Sequence, residues 1–343
     1  MKVNVISNIN ELSQLKEQWN KLFNDGGYSA FQSYEYIYSS ALTNGSNLFV
    51  ITLLDDGVLK EIWPFEIIKN KLRFINDSHA DFCDILSNSN SYEVVNYLVE
   101  YKLIDTLKLK NMKNDSLVLS KLKNVEVLRN FKCTNYSKLQ LDQTDNFPSN
   151  FTGFVYRQKR RLKRILKKYS AKHSILSCDE ASFPINDIQV LREKMISTSV
   201  RDSKYLNEDF LIIVKALYES KKMIVSKLEL DKRIVAISFI FKDKNDYSFW
   251  IDMYDDLKMI NLYHNTIFIK YITNLSSATF NFGRGIYNYK IQNFAPEPRD
   301  LVELNTFRNK LEKIIFECKE LMSNYILKNR FGVYIFKTLS RFI

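Results

Sequence analysis

The sequence predicts a mixed α+β fold: two halves in tandem, each a mostly antiparallel, twisted sheet flanked by helices, followed by C-terminal helices. Three observations predict it. Segments of helical and of strand periodicity run in the order helix, antiparallel strands, helix, strand, and that order occurs twice. A polar stretch at 141–150, LDQTDNFPSN, contains a proline and breaks the periodicity between the two runs. The 343 residues also hold 24 Phe and 20 Tyr against only 8 Gly and 5 Pro, so packed cores are expected and disordered or Gly/Pro-rich architectures are excluded. The expected divisions are residues 1–145, 146–300 and a helical extension, 301–343. The repeat is one of architecture, since no residue-level repeat is visible.

In the first half, Leu12, Leu15, Trp19, Leu22 and Phe23 fall at helical spacing over residues 10–23, and Asn24-Asp25-Gly26-Gly27 stops the helix. A short helix follows at 33–42. Residues 48–54 and 58–68 flank Asp55-Asp56-Gly57, a hairpin signal. Short extended pieces are expected at 72–75 and 82–86, a helix at 92–101, a strand at 106–110 and extended chain over 125–141. The second half opens with a basic helix at 150–170, then a strand at 174–176 and helices at 188–197 and 208–221. Strands at 223–230, 233–242 and 247–254 precede a helix at 262–275, a strand at 278–282 and extended chain at 289–294. From Leu301 the tail reads as helical, amphipathic and basic at its end.

Four cysteines, Cys83, Cys133, Cys178 and Cys318, are widely spaced, so neither a disulfide scaffold nor a zinc ribbon is expected. No His/Cys/Asp cluster has ligand spacing, and no metal is predicted. No run approaches the roughly 18 apolar residues of a membrane span, and residues 1–9 lack the pattern of a signal peptide. The chain reads as cytoplasmic and soluble. Its net charge is +11. Nine basic and no acidic residues lie between 157 and 172: Arg157, Lys159, Arg160, Arg161, Lys163, Arg164, Lys167, Lys168 and Lys172. Removing those nine would leave the chain near +2. One segment therefore carries most of the basic character.

The ending Phe280-Asn281-Phe282-Gly283-Arg284-Gly285, followed by Tyr289-Lys290, resembles the "fDfGrG…YK" ending of tandem-GNAT proteins. That group includes the CelD-type acetyltransferase-like proteins and, more distantly, the Fem peptidoglycan aminoacyltransferases. Further pieces agree in order. Phe31-Gln32-Ser33-Tyr34-Glu35-Tyr36 resembles "f.s.eW", and 62–65 resembles "lPl". Asp81-Phe82-Cys83-Asp84-Ile85-Leu86 resembles "sDy.d.l", and Lys159-Arg160-Arg161-Leu162 resembles "k.Rr.lr". Two departures stand out: Asn281 replaces the usual aspartate, and the loop 257–261 has no glycine where simple GNAT enzymes carry one. The resemblance covers about residues 10–295 and implies two GNAT-like domains. It is nearest in kind to nucleotide-sugar N-acyltransferases that move a hydroxybutanoyl group to an aminodeoxysugar for surface polysaccharide.

Such a reaction is direct attack of an amine on a thioester. It needs two bound anionic substrates, a proton acceptor and a stabilised oxyanion, but no covalent nucleophile. The resemblance implies acyl-CoA as co-substrate, held by Lys258, Ile260, Asn261, His264 and Asn265 at a helix N-terminus. Lys290 is the candidate for the oxyanion or a substrate phosphate, and Arg284, between two glycines, for a phosphate. Asp81 or Asp84 can contact a sugar hydroxyl or take the amine proton; on extended chain the two face opposite ways. His79 has the unperturbed pKa of a base. Asp252 and Tyr254 end the central strand, Tyr254 as donor to the departing thiolate. Trp63, Phe65 and Trp250 read as core aromatics, with Trp63 also able to stack on a base.

The basic helix has three readings: nucleic-acid binding, an anionic membrane, or a cleft wall that grips a nucleotide pyrophosphate. The resemblance makes Arg157, Arg160, Arg161 and Arg164 the cleft candidates, arginine being the bidentate phosphate ligand. The expected function is acyl transfer from acyl-CoA to a dTDP- or UDP-linked aminosugar, with no stable nucleic-acid partner. The alternatives are Fem-like transfer from aminoacyl-tRNA and a non-catalytic nucleic-acid- or membrane-binding module.

Overall fold

In the computed structural model, which describes residues 1–45, 47–149 and 153–328, the first half runs β1 (Lys2–Ile6), α1 (Ile9–Gln14), α2 (Lys16–Asp25), α3 (Tyr34–Asn44), β2 (Leu48–Asp55), β3 (Val58–Ile68), β4 (Lys71–Phe74), β5 (Leu86–Ser87), α4 (Glu93–Glu100), β6 (Lys108–Lys113), α5 (Leu117–Leu122) and β7 (Leu128–Leu141). The second half runs α6 (Tyr156–Leu166), β8 (Lys172–Leu176), α7 (Ile185–Ser197), α8 (Glu208–Glu219), β9 (Met223–Leu230), β10 (Arg233–Asp243), β11 (Asp246–Tyr254), α9 (Ile260–Leu275), β12 (Ala278–Arg284), α10 (Asn288–Phe294), β13 (Glu297–Phe307) and α11 (Lys310–Lys328). This is the mixed α+β class that the periodicity predicts.

The β2–β3 hairpin turns at Asp56 (φ 48°) and Gly57 (φ 79°). Positive φ at both central positions is what a two-residue turn needs to match the strand twist. Several expectations are corrected. The first helix is two, because Leu15 ends α1 with its N–H on the Leu12 carbonyl and α2 restarts from it. β1 and α5 went unread, being five and six residues long. Of the extended chain expected at 82–86, only β5 pairs, against β3. Residues 289–294 are helical, not extended: α10 turns Lys290, Asn293 and Phe294 onto one buried face. The tail stays extended past Leu301, because β13 is captured between β6 and β7, and helix begins only at Lys310. Residues 150–152, at the expected start of the basic helix, and the basic end of the tail lie outside the described residues.

Two sheets result. The first is antiparallel, ordered β1-β2-β3-β4 with β5 also on β3; the second is ordered β6-β13-β7-β12-β11-β10-β9-β8. β6 and β7 come from before the polar break, yet they lie in the second sheet with β12 and β13. β11 and β12 are its parallel pair and the rest are antiparallel. One core cluster extends across both halves, including Trp19, Trp63, Ile213 and Phe239. The seam is aromatic: Phe31 lies edge-on to Phe241 (4.7 Å) and Trp250 (5.6 Å). A second cluster packs α6 and α9 on the opposite face of the large sheet. No helix among the described residues is long and apolar enough to cross a membrane.

Candidate functional site

The site begins with a defect in the large sheet. β11 pairs with β12 only from Asp246–Ser248 to Thr279–Asn281; beyond Ser248 the two strands part. On its other side β11 carries a β-bulge, with Phe239 opposite Ile251 and Ile240 opposite Phe249, which leaves Trp250 as the extra residue. The bulge aims the Trp250 indole at the seam, where Nε1 donates to the His79 carbonyl (2.9 Å). It also shifts the alternation, so that Asp252 stands opposite Ser238, whose hydroxyl faces α9.

Asp252 anchors a polar chain in this apolar interior. Its Oδ1 accepts from Ser238 Oγ (2.6 Å) and its Oδ2 from Asn265 Nδ2 (3.4 Å), and Asn261 adds a third side-chain hydrogen bond. Ser238 Oγ lies 3.3 Å from His264 Nδ1, Ser226 Oγ is 2.8 Å from His264 Nε2, and His173 Nε2 is 2.9 Å from Ser226. Because Ser238 donates to the carboxylate, it must accept from His264 Nδ1–H, which makes His264 Nε2 an acceptor and Ser226 its donor. Every bond in the row then points towards Asp252. Burial holds both rings neutral, with the His264 pKa lowered to about 3 and that of His173 to about 4. Burial pushes the Asp252 carboxyl up from its ordinary value. Three buried amide oxygens, on Asn261, Asn265 and Asn293, lack a hydrogen-bond partner among the described residues.

Lys290 closes the β12 side. It is 4 % exposed, and Nζ donates to the carbonyls of Phe282, Arg284 (3.2 Å) and Gly285 (3.2 Å). Burial lowers its pKa to about 8, against the opposing pull of Asp81 and Asp252. The turn depends on Gly283 (φ 68°), where a Cβ would stand 2.7 Å from Asp81 Oδ2. Arg284 Nε donates to Asp81 Oδ1 (3.0 Å) and its Nη2 to the Ser78 carbonyl (2.7 Å), joining the two halves.

Two clefts flank this centre. One, of about 500 Å³ and between the halves, is lined by Ser78, His79, Asp81, Lys204, Trp250 and Arg284, among others. Tyr205 also lines it and donates to the Asp252 carbonyl oxygen (3.2 Å). The other, of about 800 Å³, is lined by Arg157, Arg160, Arg161, Arg164 and Lys168 together with Met259. Met259 precedes α9 in a left-handed conformation (φ 65°), so a non-glycine takes the position that starts the helix. Lys168 Nζ (2.5 Å) and Tyr169 OH (2.8 Å) donate to the Lys258 carbonyl, latching the end of α6 to this loop. Five cations beside a helix N-terminus suit a polyphosphate, and the residues therefore fit the phosphates of coenzyme A.

The candidates divide accordingly. Asp252, Asn261, Asn265 and Lys290 converge on the parted strands, and Tyr254 ends β11 two residues beyond Asp252. The four arginines line the basic cleft, whereas Lys258 is placed only through its backbone carbonyl, which accepts from Lys168 and Tyr169. Ile260 and His264 are interior, so neither side chain faces a cofactor. Asp84 is elsewhere: its oxygens cap α5 through the N–H groups of Leu117 (2.7 Å) and Val118 (3.0 Å), while burial raises its pKa to about 6. His79 sits on a turn against the Phe210 ring (4.6 Å), its Nδ1 bonded to Asn76, and burial lowers its pKa. Trp63 is fully buried, its indole on Glu61, and cannot stack on a base. Missed by sequence were Ser226, Ser238, His173 and Tyr205, while Lys168 was read only as one of the nine cations of the basic segment. A lone serine inside MIVSKLEL and another inside RIVAISFIFKD were the available signal, since a buried hydroxyl needs partners. Among the described residues no group of three or more His, Cys, Asp or Glu is placed to hold a metal.

Comparison with solved structures decides the fold. FemX superposes with a TM-score of 0.59 at 10% identity, over 92% of this chain and all of FemX. L-PGS from Bacillus licheniformis gives 0.58 at 12%, over 89% and 96%. The C-terminal domain assigned to a lysylphosphatidylglycerol synthetase of Agrobacterium fabrum gives 0.61 at 9%, over 90% and 95%. The fold is GNAT-like. No protein-family model and no curated protein matches the sequence. In this GNAT-like frame the parted β11 and β12 are the opening of the sheet, and α9 is the helix whose start faces the basic cleft.

Proposed function

We propose that the chain is an N-acyltransferase that moves an acyl group, acetyl or 3-hydroxybutanoyl, from acyl-CoA to the amino group of a dTDP- or UDP-linked aminodeoxysugar. The observation that carries this reading is the opening between β11 and β12 at a half-buried carboxylate, flanked on one side by a cation-lined cleft and on the other by a polar one. The donor's phosphates lie along Arg157, Arg160, Arg161 and Arg164 at the start of α9. The acceptor enters between the halves, past Asp81, His79 and Arg284. The amine nitrogen attacks the thioester carbonyl and the C–S bond breaks. Asp252 takes the amine proton, its raised pKa making it a better base than an exposed carboxylate. Tyr254 protonates the thiolate, and Lys290 supplies positive charge near the developing oxyanion.

A second reading, aminoacyl transfer from aminoacyl-tRNA, is favoured by one observation. α6 and its continuation carry nine cations over 157–172, more than the phosphates of one coenzyme A require. FemX and L-PGS have the same fold, which supports either donor equally. A thermal-shift panel separates the two. Stabilisation by an acyl-CoA and by a nucleotide sugar, about 2.7 kcal/mol at 100 times Kd, is the expected result. A flat response to every thioester, with a salt-steep response to tRNA, would replace the first reading with the second.

A further inference from the structure

Helix α11 is mounted with its polar face inward. Glu312 pairs with Lys71 (2.6 Å) and Glu320 with Lys132 (3.2 Å), and Glu317 accepts from Asn130 (3.4 Å). Phe316, against Phe307 at 5.2 Å, is the apolar contact that accompanies them. The sheet face beneath explains the mounting: β7 offers Asn130 and Lys132 there, paired across the ladder with Asn305 and Glu303 of β13. A polar sheet face takes the polar side of an amphipathic helix. The apolar side is left in solvent, with Leu311 66 %, Ile314 55 %, Ile315 46 %, Leu321 70 % and Met322 61 % exposed. These residues recur at three- and four-residue intervals, so they form one stripe along the helix, with exposed Cys318 within it. A contiguous stripe of this kind differs from the scattered apolar residues of an ordinary surface.

The charge that follows says what covers it. After Glu320 the sequence contains no acidic residue, while Lys328, Arg330, Lys337 and Arg341 lie among Phe331, Tyr334, Phe336 and Phe342. Apolar stripe, basic residues and aromatics together match the chemistry of an anionic lipid surface. A second copy matches it poorly, because pairing two stripes would bring two +11 chains and two basic tails together. We propose that α11 docks this protein onto an anionic membrane surface, stripe inward, with the basic residues after Glu320 adding the electrostatic attraction. The proposal is independent of the reaction assigned above.

Flotation of the full chain with vesicles tests it. Strong binding is expected to phosphatidylglycerol/phosphatidylcholine mixtures and weak binding to phosphatidylcholine alone, with each basic residue at the surface worth roughly fivefold in partitioning at low salt. The double variant Ile314→Glu/Leu321→Glu is expected to lose at least about tenfold of that binding. Its Tm should not change, because both side chains already face water. Equal binding of wild type and the double variant would overturn the proposal, and so would no binding to anionic vesicles. Light scattering gives a third decisive outcome: a wild-type dimer that the double variant converts to monomer would make the stripe a protomer interface instead.

Discussion

Asp252 shows how one residue's chemistry depends on neighbours that the chain brings from four other elements. Ser238, His264, Ser226 and His173 come from β10, α9, β9 and β8, and they form one row of hydrogen bonds aimed at its carboxylate. Two neutral imidazoles and two hydroxyls can donate along such a row without adding net charge, so the row orients the carboxylate without neutralising it. Lys290 is the complementary case, a cation held in the interior by three carbonyl oxygens. Its folded pKa, about 8, lies below the unfolded value of about 10.4. Below pH 8 the amine is charged in both states and burial costs stability. Between pH 8 and about 10.4 the folded state sheds the proton first, and that cost is relieved. Wild type should therefore gain about 2–3 kcal/mol relative to Lys290→Met between pH 7 and pH 10, read by denaturant unfolding. A gap that stays constant over that range would mean that Lys290 is not desolvated as described.

At the scale of the element, α6 is the most distinctive feature. Its 11 residues bury only Leu162 and Ile165 and leave the arginines to one cleft. Arg157, Arg160, Arg161 and Arg164 lie three or four residues apart, which puts them on one side of the helix beside the start of α9. The packing face and the arginine-bearing face are therefore different, and replacing arginines should leave the fold intact. Arg160→Ala/Arg164→Ala is expected to raise the donor KM by about tenfold or more, with a smaller change in kcat, since phosphate contacts away from the reacting carbon hold ground and transition states alike. An unchanged donor KM with an altered Tm would reassign these arginines to structure.

For the molecule as a whole, the decisive fact is that the large sheet draws strands from both sides of the polar break. β13 lies between β6 and β7, and β7 passes its other edge to β12. The two halves also share a core and the Phe31–Trp250–Phe241 seam. We expect one cooperative unfolding transition, with fluorescence and far-UV circular dichroism midpoints coincident. Two separated transitions would show that the halves are held by less than the continuous sheet implies. The order of elements was legible because each local signal agreed with its surroundings: the Asp56-Gly57 turn, the spacing in α8, the apolar run of β10. It failed at α10 and β13, where the conformation is imposed from outside, by carbonyls that gather the Lys290 amine and by two strands that leave a slot for a third.

The candidate site was legible in the same uneven way. The Gly283-Arg284-Gly285 turn, Lys290 and the arginines of α6 were legible through a resemblance carried by short motifs and through nine unbalanced cations, and Asp252 as an aspartate near the end of an apolar strand, all of them local facts. The roles of Asp84 and His264 were not local. Aspartate as an N-terminal cap and histidine as a link between two serines depend on which elements meet them, and α5 meets Asp84 from 33 residues away. By itself the sequence determined the class, the charge and those elements whose local signals agree with their surroundings, since these follow from periodicity and composition. Only the tertiary structure decided which strands part, which faces of α6 and α11 remain in water, and which buried groups point at Asp252, because those are set by contacts between residues far apart in the chain.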